Sequence, residues 1–373
     1  MVRPLRAPYP FVPVEGAFLS RSLARTWERM MADIEGAREE VLLENYILVD
    51  SASTDRLTEA LRRAKAQGAE IRLHIDAAGS YLLGREQERT LRELATLKIH
   101  HPPSLRTIMG GIRKRVMRRT HRRLLVIDRK VAWTGGMGFA DQWWPENPER
   151  HREVDLRMEG AIVDHCRDAF LTLWQGDRRR GDLPVQQEPV DGHWRLVPQY
   201  AFGRRLFRLG LRRSIMHARE RVWLRTAYFV PPRRLRREMR RAAERGVDVR
   251  LLLPGPRYHD HPGVRYAGHR YYAGLLRRGV RIFEYQPSFQ HGKTALFDGG
   301  RALLGTPNID RLSFRFNHEV AVQVQDRRLA AEVEAHFRDD FALSEEVTWE
   351  QWQKRPWFDR LREAFLSIFA PLM

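Results

Sequence analysis

Two histidines in this chain each begin a run of polar and small residues with matching spacing. The run in the second half contains His291, Lys293, Asp298, Gly305, Thr306 and Asn308. The run in the first half contains His121, Arg123, Asp128, Gly135, Gly136 and Gly138. The first run therefore has arginine in place of lysine and glycine in place of the final asparagine. A single histidine is more often a core residue, but two at equivalent points of a repeated pattern indicate a functional site.

The pattern suits chemistry on a phosphodiester. A histidine and a basic residue two positions apart on a strand project to the same side, so each run presents an imidazole beside a cation. One neutral imidazole can attack phosphorus and form a phosphohistidine. The other can protonate the leaving alkoxide and later deprotonate the incoming alcohol. The cations would neutralise the non-bridging oxygens, most strongly in the transition state. Such a site needs no metal ion and no cofactor.

The second run has the H-x-K-x4-D-x6-G-[ST]-x-N signature of the phospholipase D superfamily at every position. From about residue 30 to 345 the chain resembles bacterial cardiolipin synthases, most closely the shorter type that lacks N-terminal transmembrane segments. Residues 283–285 and 308–313 are especially similar. The resemblance implies a phosphatidyltransferase that joins two phosphatidylglycerol molecules into cardiolipin and releases glycerol. Phosphatidylethanolamine as the donor is a variation within the group.

The resemblance also assigns roles to acidic residues near the two runs. It implies that Glu319 hydrogen-bonds and orients His291, and that Glu153 does the same for His121, each within its own half. Such a carboxylate fixes the tautomer of the imidazole and raises its basicity. The alternative is that both glutamates are solvent-exposed residues at strand edges. His121 is the expected nucleophile, although the complete run around His291 leaves the reverse assignment open.

The other residues of the runs have more varied expected roles. Asp128 and Asp298 belong to the catalytic signature, but the resemblance implies that they brace the fold rather than touch substrate. Arg123 can grip a phosphate with two N–H groups, whereas Gly138 offers no side-chain donor. The residues expected to bind substrate, besides the cations, are Asn308, Thr306, Gly135 and Gly136. The two glycines could do so through backbone N–H groups.

The chain reads as a tandem duplication. The sequence from Ala37 resembles that from Ala218, and each copy continues into a strand, a helix ending at Gly68 or Gly246, and a further strand. This alternation predicts an α/β fold with a largely parallel sheet in each half. The resemblance implies two phospholipase D-like α-β-α repeats, related by a pseudo-twofold axis, with the active site at their interface. Residues 177–197 read as a linker, which gives domains 1–182 and 183–373.

The composition indicates a polyanionic partner. The chain has 66 Lys+Arg against 47 Asp+Glu, a formal net charge of +19. Residues 106–117 interleave basic and apolar side chains, and residues 357–371 have the pattern of an amphipathic helix, so both could bind an anionic membrane. The tail could equally pack on its own domain. We therefore expect a peripheral protein of the cytoplasmic membrane that contacts phosphatidylglycerol and cardiolipin, with no nucleic-acid partner. The oligomeric state is open.

Two other functions fit parts of the sequence. A basic, duplicated phosphodiesterase could be a nuclease whose positive charge grips a nucleic-acid backbone. The apolar residues between the basic ones in 106–117 favour lipid, because a nuclease would present a hydrophilic channel. A non-catalytic protein with a decayed first half would explain Arg123 and Gly138, but His121 and Glu153 are intact. No apolar run is long enough for a transmembrane helix, no metal-ligand spacing occurs, and the single cysteine, Cys166, allows no internal disulfide.

Overall fold

A computed structural model describes residues 8–20, 22–102, 118–147, 150–176, 190–203 and 205–356 of the chain. Within these residues the chain forms a seven-stranded and a nine-stranded sheet. The strands of the first half are β1 (Val12–Pro13), β2 (Gly16–Leu19), β3 (Glu40–Asn45), β4 (Glu70–Asp76), β5 (Thr96–His100), β6 (Leu124–Ile127), β7 (Val131–Thr134) and β8 (Leu156–Glu159). Its helices are α1 (Leu23–Glu35), α2 (Ala52–Ala66), α3 (Arg85–Leu94) and α4 (Ile162–Trp174), with a 3₁₀ turn at Asp141–Trp143.

The second half is built from corresponding elements. Its strands are β9 (His193–Gln199), β10 (Arg221–Arg225), β11 (Asp248–Pro254), β12 (Arg281–Tyr285), β13 (Thr294–Phe297), β14 (Arg301–Gly305), β15 (Glu319–Gln325) and β16 (Ser344–Val347). Its helices are α5 (Leu206–His217), α6 (Arg233–Glu244), α7 (Pro262–His269), α8 (Tyr272–Leu276), α9 (Arg327–Ala342) and α10 (Trp349–Gln353), with a π-helical turn at Leu312–Phe316.

The strand order confirms the duplication. The first sheet runs β2-β8-β7-β6-β3-β4-β5, and the second contains β9-β15-β14-β13-β10-β11-β12 in the equivalent order. Gly68 and Gly246 follow the equivalent helices α2 and α6 with φ of +96° and +88°, which is the left-handed backbone expected of a glycine after a helix. The predicted α/β fold with two phospholipase D-like repeats is therefore confirmed.

The prediction of largely parallel sheets is wrong. Only β3-β4-β5 and β10-β11-β12 are parallel among the described pairings, and the other neighbours are antiparallel. The cause is the length of the connections. Three residues join β6 to β7, and three join β13 to β14, which suffices for a hairpin but not for the crossover that a parallel pair needs.

The two halves are not separate in space. Strand β1, from the first half, pairs with β9 of the second half and extends the second sheet. One apolar core contains α4, α9 and strands of both sheets, while a further core lies within each half. The predicted linker was too long, because residues 193–199 form β9; the boundary at 182 and 183 lies outside the described residues. The duplicated runs therefore meet across a continuous interior.

Candidate active site

Each of the two predicted histidines is positioned by a backbone contact that crosses from one half to the other. The backbone N–H of His121 donates to the carbonyl of His318 at 3.0 Å. The backbone N–H of His291 donates to the carbonyl of Arg152 at 2.8 Å. His318 and Arg152 each directly precede one of the predicted glutamates. The chain segment that carries each histidine therefore runs beside the glutamate segment of the opposite half.

This crossing pairs each histidine with the glutamate of the other half. Nδ1 of His121 lies 3.1 Å from both carboxylate oxygens of Glu319, and Nδ1 of His291 lies 2.5 Å from Oε2 of Glu153. The prediction that each glutamate orients the histidine of its own half is therefore wrong. Within one half, the histidine and the glutamate lie beside two strands that are separated by a third strand. At about 4.8 Å per strand, this places the histidine and the glutamate of one half roughly 10 Å apart.

Both carboxylates are buried and held in place by further hydrogen bonds. The hydroxyl of Thr306 donates to Oε2 of Glu319. Glu153 accepts from the Trp143 indole N–H at 3.1 Å and from the backbone N–H of Val154 at 3.0 Å. Thr306, which was predicted to bind substrate, is engaged in orienting a carboxylate. With each Nδ1–H donated to a glutamate, each imidazole keeps the lone pair on Nε2 for chemistry.

A cation lies beside each imidazole. Nη1 of Arg123 is 3.3 Å from Nε2 of His121, and Nζ of Lys293 is 2.7 Å from Nε2 of His291. Burial lowers the pKa of both histidines, so the neutral form that can attack phosphorus is favoured. Lys293 also lowers the pKa of His121, and Arg123 that of His291, so each cation acts on the histidine of the opposite half. The two runs therefore form one site.

Gly135 and Gly136 let two carboxyl groups approach the backbone closely. A Cβ at Gly136 would lie 2.3 Å from Oε1 of Glu153, and one at Gly135 would lie 2.1 Å from Oδ1 of Asp155. Neither position has room for a side chain. Burial would raise the pKa of Glu153, but His291 and Lys293 lower it overall, so the carboxylate that orients His291 stays charged. The structure thus gives the two glycines a packing role, and their contact with substrate stays a prediction.

The departure at Gly138 is explained by a tryptophan. A Cβ at Gly138 would lie 3.0 Å from the six-membered ring of Trp143. The indole of Trp143 also lies 5.2 Å from the ring of His291 and donates its Nε1–H to Glu153. Trp143 therefore occupies the space beside the last position of the first run, where the second run has the buried Asn308. The tryptophan pair at 143 and 144 was noticeable in the sequence, but nothing there linked it to a glutamate.

Two tyrosines near the site were also missed. The ring of Tyr46 lies 5.1 Å from the ring of His121, and the hydroxyl of Tyr228 donates to Asp260. Burial raises the pKa of both phenols, so both are protonated. They lie just beyond β3 and β10, where the sequence showed only apolar strand-like runs. No spacing signal in one sequence distinguishes such residues from core tyrosines.

Asp128 and Asp298 brace the fold, as expected. Each accepts hydrogen bonds from three successive backbone N–H groups just before the first parallel strand of its own half: residues 38–40 for Asp128 and 219–221 for Asp298. Both have φ of +50°, so each also forms the hairpin turn after its histidine strand. Neither carboxylate has a described contact with the two histidines. Their place in the signature is structural.

Lys293 predicts a specific pH dependence. Burial lowers its pKa to about 7, so the ammonium is charged below that value and is lost as the pH rises through it. Sulfate keeps its charge over this range, so its inhibition constant against a soluble phosphodiester reports the charge of the site alone. We expect sulfate inhibition to weaken as the pH rises through about 7 in the wild type.

The matched variant is Lys293→Arg, which copies the basic residue of the other run. A guanidinium stays protonated throughout this range, so the sulfate inhibition constant should be flat from pH 6 to about 9. The same decline in both proteins would show that another group titrates and would contradict the role of Lys293.

Several expectations lie outside the described residues. These are the basic and apolar segment 106–117 and the C-terminal amphipathic pattern 357–371. In the described part of the chain, no group of three or more His, Cys, Asp or Glu residues could hold a metal ion. No helix in the same part combines the length and apolar character needed to cross a bilayer.

Comparison with known proteins identifies the family of both repeats. A family model described as "Cardiolipin synthase, PLD-like domain" matches residues 30–174 and 211–341, one match for each repeat. Among curated relatives, the major cardiolipin synthase ClsA of Bacillus subtilis is 26% identical over 93% of this chain and 73% of its own length. Cardiolipin synthase A of Yersinia pestis is 29% identical over 93% of this chain and 74% of its own length.

Solved structures share the fold. The phosphatidylserine synthase of Haemophilus influenzae Rd KW20 superposes with a TM-score of 0.75 at 13% identity, covering 97% of this chain and 95% of its own. The polyphosphate kinase of Porphyromonas gingivalis superposes with a TM-score of 0.54 over 86% of this chain and 49% of its own. With both repeats matched by one family model, the chain belongs to the cardiolipin synthase family of phospholipase D-like phosphatidyltransferases.

Proposed function

We propose that this protein is a cardiolipin synthase that transfers a phosphatidyl group through a phosphohistidine. The observation that carries the proposal is the pair of crossed hydrogen bonds, His121 with Glu319 and His291 with Glu153. They give the site two oriented imidazoles, each with a cation beside its Nε2. One imidazole can act as nucleophile and the other as acid and base. The names of the relatives support a phospholipid as the substrate.

In the first step, Nε2 of His121 attacks the phosphorus of one phosphatidylglycerol. The bond from phosphorus to the glycerol headgroup oxygen breaks, and His291 donates a proton to that oxygen. Burial lowers the pKa of His291, so this step needs Glu153 and the bound phosphate anion to stabilise its protonated form. Lys293 and Arg123 stabilise the charge on the non-bridging oxygens. The products are free glycerol and a phosphatidyl group on His121.

In the second step, a hydroxyl of a second phosphatidylglycerol approaches the phosphohistidine. His291, now neutral, removes its proton, the new phosphorus–oxygen bond forms, and the bond to Nε2 of His121 breaks. Cardiolipin leaves and both histidines return to their starting state. Water in place of the hydroxyl would give phosphatidic acid, so the outcome depends on which acceptor reaches the intermediate. Burial of both histidines favours the lipid acceptor.

We further propose that the protein acts as a peripheral enzyme on the cytoplasmic membrane. Its substrate would be phosphatidylglycerol, and its binding partner would be the anionic lipid surface. The net charge of +19 supports attraction to such a surface. A nuclease would use the same phosphodiester chemistry, but no described feature of the site selects a nucleic acid over a lipid.

The test is to incubate purified protein with phosphatidylglycerol vesicles, with and without EDTA, and to resolve the lipids by mass. We expect cardiolipin and glycerol in equal amounts, at the same rate in both samples, because His291, Lys293 and Arg123 supply the acid and the positive charge. Loss of activity on chelation that zinc or magnesium restores would contradict this mechanism. Cleavage of DNA without cardiolipin formation would favour the nuclease.

A further inference from the structure

A half-open cleft of about 320 Å³ in the second half is lined by arginines. Five of these arginines are Arg205, Arg208, Arg233, Arg236 and Arg315. No aspartate or glutamate is among the described residues that line the cleft, and these five arginines form no ion pair in the described part of the chain. None of the active-site residues lines it. The cleft is therefore a separate concentration of positive charge.

The backbone adds to this charge. Helix α5 begins after Arg205 and α6 begins at Arg233, so the N-termini of both helices lie at the cleft. Neither helix has a side-chain cap or an acidic residue in its first turn, which is where acidic residues are normally favoured. Arginines at these positions are unfavourable unless an anion is bound. Burial and neighbouring arginines lower the pKa of Arg208, which is consistent with this repulsion.

Two exposed apolar side chains lie next to arginines of the cleft. Leu209, which follows Arg208 on α5, is 37% exposed. Phe202 is 40% exposed and donates its backbone N–H to the carbonyl of Arg315 at 2.9 Å. Exposed apolar residues beside arginines that form no ion pair are a combination that favours binding at a membrane interface. A soluble phosphate ligand would not need them.

A basic residue from the first half also contacts this surface. The guanidinium of Arg118 lies 4.8 Å from the centre of the exposed Phe202 ring. A cation beside an exposed aromatic ring favours a lipid ligand over a free phosphate.

We propose that the arginine-lined cleft is a second phosphate-binding site, which takes the headgroup of an anionic phospholipid outside the catalytic centre. Its volume is at the lower end of the range for small-molecule sites and suits a phosphate with a short headgroup. The choice of a lipid ligand rests on the proposed function. A lipid held there would anchor the enzyme on the anionic surface that supplies its substrates.

The test compares two pairs of substitutions on one helix. Arg233→Ser with Arg236→Ser removes two charges from the cleft, and Arg237→Ser with Arg241→Ser removes two charges from α6 outside it. Binding is measured by flotation with phosphatidylcholine vesicles that contain phosphatidic acid. This lipid carries a phosphate but no head alcohol to lose, so the result does not depend on turnover.

At low salt the cleft pair should weaken vesicle binding roughly thirtyfold, taking about a tenfold loss for each 1.4 kcal/mol and 1 kcal/mol per arginine. The control pair should weaken it less than about threefold, since these arginines lie outside the site. The thermal midpoint of the cleft pair without ligand should not fall, because positive charge is removed from a helix N-terminus. The fold is then intact when binding is lost.

If both double variants lost vesicle binding equally, the proposed site would be overturned, because the change in net charge alone would explain the losses. Unchanged flotation in the cleft pair, together with loss of the thermal shift that pyrophosphate produces in the wild type, would overturn the lipid assignment and leave a site for soluble phosphate. Either result can occur while the phosphatidylglycerol assay still yields cardiolipin, so the two proposals can fail separately.

Discussion

Replacing His121 or His291 by alanine should reduce the rate of cardiolipin formation by about 10⁴-fold or more in each case. Each histidine is the sole imidazole in its half that is held by a crossed glutamate within the described residues, so neither can substitute for the other. The double variant should be no slower than the slower single variant, because residues that act as one unit give non-additive losses.

The measurement is the initial rate on phosphatidylglycerol vesicles, with binding to the same vesicles as a control. His165, a half-buried histidine of α4 whose ring stacks on Tyr9, provides a matched variant. His165→Ala should keep its rate within about twofold, since His165 has no described contact with either run. A His121 or His291 variant that retained a tenth of the wild-type rate would rule out an essential role for that imidazole.

Replacing the orienting glutamates should produce the next largest losses. Glu319→Gln and Glu153→Gln keep the shape of the side chain but remove the charge that fixes the tautomer and stabilises the imidazolium, so each should cost roughly 10²- to 10⁴-fold in rate. Because Glu319 raises the pKa of His121, its loss should leave His121 harder to protonate. The same holds for Glu153 and His291.

The crossed pairing gives this prediction a signature beyond rate. In protein with labelled histidines, Glu319→Gln should shift the NMR resonances of the His121 ring and leave those of His291 nearly unchanged. Glu153→Gln should do the reverse, so each variant is the control for the other. Shifts at the histidine of the same half would contradict the crossed arrangement and restore the pairing expected from the sequence.

The sequence was sufficient to find the histidines and cations that the structure brings together. His121, His291, Arg123 and Lys293 could be identified because their types and spacing recur in two halves of the chain. The repeat itself was visible because glycines end equivalent helices, as at Gly68 and Gly246. These signals are local, within one strand or one helix end, and local signals are what a single sequence records well.

The pairing of histidines and glutamates could not be predicted in this way. It depends on which strand segment of one half runs beside which segment of the other, and the contacts of His121 with His318 and of His291 with Arg152 are formed only on assembly of the two halves. The resemblance had implied pairing within each half. The role of Trp143 was hidden for the same reason, since it depends on the space left by Gly138.

The prediction of strand direction was wrong for a different reason. A strand, helix and strand pattern correctly predicted the parallel units β3-β4-β5 and β10-β11-β12. It did not show that short turns at Asp128 and Asp298 fold the next strands back as hairpins. At those turns Asp128 and Asp298 join the end of β6 or β13 to the start of β3 or β10, as the antiparallel pairing requires.

In the mechanism that we propose, the phosphatidyl group is carried on His121 in a site built by both halves. To test this, the enzyme is mixed with phosphatidylglycerol labelled at phosphorus and quenched within one turnover under alkaline conditions that preserve phosphohistidine. The labelled peptide is then mapped by mass. We expect the label on the peptide that contains His121, and none when Glu319 is replaced by Gln. Label on His291 would reverse the assignment of nucleophile and acid, and the absence of any phosphohistidine during active turnover would contradict the covalent mechanism.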